Sequence, residues 1–252
     1  MVREMINLVK MYLYKMIRSF GLGIVIFLSA LLLLSNALKI LLFPKLVYQD
    51  FSALEIMIRF FSSGMPCLIF CVFLSKFFLD DEKNGFLKNI IPKLKNRSII
   101  YFSRFIVMVI FVFIMFLINF IESIVVYKFL IGNDFSKSNL DITKIILLFV
   151  LYVSFLSFTN MLLIVCRDSI VPILIGVISL TGIIAIPVML FNELIISITS
   201  QTSFDLGDYL VSINIKEINW NIKYLKILPI SFIYLFLSTF TSLYFLKQCD
   251  IK

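Results

Sequence analysis

The stretch IIYFSRFIVMVIFVFIMFLINFIESIVVY, residues 99–127, decides the fold. Apart from serines, Arg104, Asn119 and Glu122 are its polar interruptions. Spanning a hydrocarbon core of about 30 Å takes roughly 20 apolar residues in a helix, and this run exceeds that. In lipid the chain must satisfy its own backbone hydrogen bonds, so the run has to be a helix. A β-barrel strand would alternate apolar and polar residues, and this stretch is continuously apolar.

On either side lie five more runs of spanning length, near 21–43, 59–79, 145–165, 170–191 and 227–246. The expectation is one all-α integral membrane domain over residues 1–252, with six transmembrane helices. The composition agrees. The chain has 252 residues, 61% hydrophobic and only 15% charged, against about 25% charged in an ordinary soluble domain. It contains 28 Phe and no histidine, which removes His-based triads, His metal sites and a His general base. Pro172 and Pro187 mark the fifth run as a bent helix.

Residues 3–20 are too polar to span. Arg3, Asn7, Lys10, Tyr14 and Arg18 fall on one helical face, and Ile6, Val9, Leu13, Met16, Ile17 and Phe20 on the other. That pattern describes an amphipathic helix lying in the membrane interface. Although this end superficially resembles a signal peptide, its basic region is long and itself amphipathic, so it is read as retained.

Counting Lys and Arg on alternate sides of six spans puts fourteen of the 23 on one side, crowded around the first three helices. The positive-inside rule then places both termini in the cytoplasm. It also accounts for the net charge of +8, with no need for nucleic acid as a partner. Outside the membrane lie a short segment (44–58), a polar turn region (128–144) and a longer stretch (192–226). The last is expected to form short helices at the outer interface, with Trp220, the single Trp, at headgroup level.

No G-x-x-x-x-G-K-S/T and no G-x-G-x-x-G phosphate loop occurs. No metal site and no catalytic set is suggested, so the chain is read as not an enzyme and as binding no cofactor itself. Cys67, Cys71, Cys166 and Cys249 show no C-x-x-C spacing and read as small apolar residues. Ionisable and amide groups inside spans are costly, which makes Asn119, Glu122 and Asn160 candidates for a polar translocation path.

The densest charged segment follows the second span. Asp80, Asp81, Glu82 and Lys83 end the apolar run, Gly85 allows a turn, and the amphipathic stretch Phe86–Ile91 stops at Pro92. A short helix pressed on the cytoplasmic face is suited to docking a soluble partner. This segment resembles the permease subunits of ABC-2-type transporters. In them an acidic residue after the second span is followed by a glycine, a Lys-Asn-like pair, and Ser/Arg-Tyr leading into the third span. Asp81, Gly85, Lys88, Asn89, Arg97 and Tyr101 match that pattern, while Phe86 stands where Thr is common.

The resemblance implies an exporter permease in the cell membrane, similar to the small permeases of Gram-positive bacteria for lantibiotic immunity or antimicrobial and toxin peptides. It implies a cytosolic ATPase, carrying the ATP and Mg, docked on Asp81, Glu82, Lys83, Gly85, Phe86, Lys88 and Asn89 and on the turn with Arg167 and Asp168. It also implies a second copy or a related permease. Small polar residues and Phe would line an adaptable route for amphipathic peptides or lipid-like substrates. The alternative is an ATPase-independent secondary transporter or a membrane adaptor.

Overall fold

In the computed structural model the 99–127 run becomes one helix, Ser98–Leu130, of 33 residues. At 1.5 Å per residue it is about 50 Å long, so it overshoots the hydrocarbon core. The structure describes residues 2–42, 53–83, 96–130, 142–181, 183–199, 206–218 and 224–248, and no strand occurs among them.

The helices in chain order are α1 (Val2–Arg18), α2 (Phe20–Leu42), α3 (Ala53–Ser62), α4 (Met65–Lys83) and α5 (Ser98–Leu130). They are followed by α6 (Ile142–Cys166), α7 (Ile170–Thr181), α8 (Ala185–Thr199), a 3-10 turn (Leu206–Tyr209), α9 (Val211–Glu217) and α10 (Tyr224–Gln248). Of these, α2, α5, α6 and α10 are each long and apolar enough to cross a membrane. The pairs α3/α4 and α7/α8 are bent by 60° and 63°, and the number of such segments reaches six if each pair is one span. The chain is thus an all-helical, multi-pass membrane protein.

The expected span at 59–79 is corrected by this arrangement. It begins inside α3 and crosses a break at Ser63–Gly64. Gly64 sits at φ +76°, a left-handed conformation that a side chain disfavours. The carbonyls freed at the end of α3 are satisfied locally. The Tyr152 hydroxyl donates to Phe61 O at 2.7 Å, Ser62 Oγ to Arg59 O, and Ser63 Oγ to Phe60 O. Pro66 then occupies the first turn of α4, where a missing N–H costs nothing.

The bend expected from Pro172 and Pro187 is present, but it falls between them. Each proline lies in the first turn of its helix, and the chain turns between Thr181 and Ala185. Ile184 N donates back to Ile178 O, and Thr181 Oγ1 to Val177 O. The two breaks meet in space, since a Cβ on Gly64 would lie 3.4 Å from Leu180 O.

Helix α3, expected as part of an outer loop, is almost wholly buried among α2, α4, α5, α6 and α9. Short helices are present in 192–226, as the 3-10 turn and α9, with α9 packed on α3, α6, α7 and α10. Trp220 lies outside the described residues. Cys67 and Cys71 are buried as expected, whereas Cys166 is exposed at the end of α6.

The core is aromatic. Phe61 stacks on Phe116 at 4.0 Å and meets Tyr152 edge-on at 5.4 Å, and Phe111 stacks on Phe73 and meets Phe70 edge-on. Lipid tails are as apolar as these rings, so close packing rather than exclusion of water holds them. Small hydroxyl residues also join the helices. Ser157 and Ser238 share a hydrogen bond of 2.7 Å between α6 and α10, and Ser154 Oγ reaches Ser231 O. Tyr101 OH joins this seam through Thr239 at 3.0 Å. Small hydroxyl residues here let two helix backbones approach closely.

Candidate functional site where α1 meets α4

Helix α1 has three faces rather than two. At 100° per residue, Leu8, Tyr12 and Met16 form a stripe, and all three are buried. Ile6 and Ile17 fall on a second, exposed apolar face, and Phe20 at the start of α2 is exposed as well. Arg3, Asn7, Lys10, Tyr14 and Arg18 form the third, exposed face, as expected. The helix runs along α5, and its buried stripe reaches the end of α4. There Tyr12 packs edge-on against Phe78 at 6.0 Å and lies 6.4 Å from Phe77.

Lys15 lies one position past the polar stripe, so it points toward the protein. Its ammonium forms an ion pair with Asp81 and sits over the Phe77 ring at 5.5 Å. The Asp81 side chain is 0% exposed, and that of Lys15 is 41% exposed. Burial draws the Lys15 pKa down, against the opposing pull of the Asp80 charge. Beside the pair, Arg104 is 1% exposed. It lies over the Phe78 ring at 5.2 Å and donates to Phe78 O at 3.4 Å.

The sequence-derived docking residues divide into three groups. Asp81 faces inward to α1, so it holds the end of α4 in place and presents no carboxylate to a partner. Glu82 and Lys83 are in the last turn of α4. Gly85, Phe86, Lys88 and Asn89 lie outside the described residues. On the second expected contact, Arg167 is exposed with φ 53°, and Asp168 Oδ1 accepts the Ile170 amide at the start of α7. Both contacts belong to one end of the bundle, because Tyr101 at the start of α5 clusters with Ile164 and Leu246 at the ends of α6 and α10.

The three path candidates do not converge. Asn119 is buried, with its amide nitrogen turned back to Met115 O at 2.8 Å. Glu122 is half-buried one turn further along α5. Asn160 sits on α6 at a cavity that Met108 also lines, and Met108 is 11 residues, about 16 Å, before Asn119 on α5. A Glu122→Gln change keeps the shape and removes the ionisable carboxyl, and is expected to leave the melting temperature in detergent at or above that of the parent. A marked fall would show that Glu122 anchors the C-terminal part of α5.

The sequence reading missed Tyr12, Lys15 and Arg104. The available signal was the position of Lys15, off the stripe formed by the other polar residues of α1. No protein-family model matches the chain, and no curated protein matches it. What fold and site together define is a class, a multi-pass helical membrane protein with an ion-paired N-terminal helix.

Proposed function

We propose that the chain is the permease subunit of an ABC exporter in the bacterial cell membrane, of Gram-positive type. The reading takes the bent pairs as single spans, giving six, with both termini in the cytoplasm. A separate cytosolic ATPase, binding ATP and Mg, docks on the 82–96 segment and the Arg167–Asp168 turn. Two permease copies, or two related permeases, pair to carry amphipathic or antimicrobial peptides, or lipid-like molecules, outward.

The observation that carries this reading is the ion pair of Lys15 with the buried Asp81. It ties α1 to the last turn of α4, immediately before the segment whose residues resemble a coupling segment. A push on that segment then reaches α1 and α5 through fixed contacts rather than a slack loop. Work of this kind needs docking contacts that differ between nucleotide states.

Co-expression with a cytosolic ABC ATPase, taken from the genes that neighbour this one, is the test, and the absence of any such gene there would already count against the reading. The ATPase is expected to co-purify, and Gly85→Pro or Glu82→Lys is expected to release it while the permease stays folded. Export that persists with a hydrolysis-dead ATPase would sink the reading. It would favour a secondary transporter instead, which the meeting of two helix breaks at Gly64 and Leu180 supports. If no ATPase associates and no transport occurs, an adaptor remains.

A further inference from the structure

Asn160 is 5% exposed, and neither end of its side-chain amide has a hydrogen-bond partner among the described residues. Burying such an amide in an apolar core is strongly unfavourable unless something satisfies it. The side chain borders a small, partly open cavity between α4, α5 and α6, of about 10 Å³, with Ser75, Phe78, Met108 and Thr159 also in its wall. Thr159 Oγ1 donates to Leu156 O at 2.9 Å, and its lone pairs remain able to accept.

We propose that this cavity is a binding site for one ordered water molecule, held by Asn160 with Thr159 and Ser75. The volume selects the ligand. One water needs roughly 10–15 Å³ and two to four polar partners. The space admits no peptide or lipid group, and none of its wall residues carries a charge to hold an ion. Asn160 therefore belongs to a hydration site inside the bundle and not to a substrate route. The site is also well placed. Ser75, Phe78 and Asp81 follow one another at three-residue intervals on α4, so the water lies on the membrane side of the Lys15–Asp81 pair. A water at that position gives α4 and α6 an exchangeable hydrogen-bond partner where they touch.

Radiolytic footprinting of the purified protein in lipid nanodiscs tests this. X-ray pulses generate hydroxyl radicals from water, and those formed at a bound water oxidise the nearest side chain. Met108 and Met115 are both 0% exposed on α5, but Met108 alone borders the cavity. Met108 is expected to oxidise several-fold faster than Met115, and Asn160→Leu is expected to bring the two rates together. Equal rates in the parent protein would overturn the proposal, and that comparison needs no variant. A fast Met108 that stays fast in folded Asn160→Leu protein would overturn it as well, since the water would not depend on the amide.

Discussion

Lys15→Met is expected to destabilise the folded protein by about 3 kcal/mol, at the low end for breaking a buried ion pair. The change leaves the Asp81 carboxylate without its partner at a place with no access to water. The reverse change should cost much less. In Asp81→Leu the surviving charge is on Lys15, whose side chain is 41% exposed and long enough to turn its ammonium to water. The double variant Lys15→Met with Asp81→Leu should recover most of the loss, because apolar residues of similar volume can replace an ion pair. Melting in mild detergent for the two single variants and the double checks the order. Equal, small effects for the two single variants would show that the pair is a surface contact of little weight.

Gly64→Val is the second large effect. At φ +76° a β-branched residue is a true outlier, with a cost of roughly 1–3 kcal/mol from the backbone alone. The added Cβ also starts 3.4 Å from Leu180 O, so the branched carbons press on the end of α7. Gly64→Ala should fall between parent and valine. Gly23 in α2 supplies the control, since nothing lies within 4 Å of a Cβ placed there and alanine is the better helix former. Gly23→Ala is expected to leave the melting temperature unchanged or higher. If Gly64→Val melts like the parent, the break between α3 and α4 is not set by the glycine.

Much of the architecture was legible because lipid imposes a simple rule on a chain. The 99–127 run could be nothing but a helix, and α2, α6 and α10 follow from the same argument. The break at Gly64 was not legible. A hydropathy reading joins Arg59 to Leu79, and the turn depends on a conformation that Tyr152, 91 residues away from Phe61, helps to hold. The burial of α3 was written in Ile56, Met57, Phe60 and Phe61, a helical stripe, but Glu55 and Arg59 masked it. They pair with each other at 2.8 Å on one side of that short helix. The site was legible as a charged segment and not as a geometry. Asp81 stood out as an acidic residue, yet its partner is 66 positions earlier. Nothing local distinguishes a carboxylate that faces the cytosol from one that faces a lysine.

The three-faced form of α1 has a consequence for synthesis. A ribosome makes α1 before α4 and α5, when only two of its faces have anything to meet. Lipid and water can receive Ile17 and Arg3 at once, but the stripe of Leu8, Tyr12 and Met16 waits for α4 and α5 to be inserted. During that interval Lys15 has no carboxylate to meet. The arrival of Asp81 closes a contact across 66 residues. Chains grow at about 5–20 residues per second, so the wait lasts several seconds. Docking of α1 thus reports that α4 has arrived with Asp81 at the same end of the bundle as Lys15.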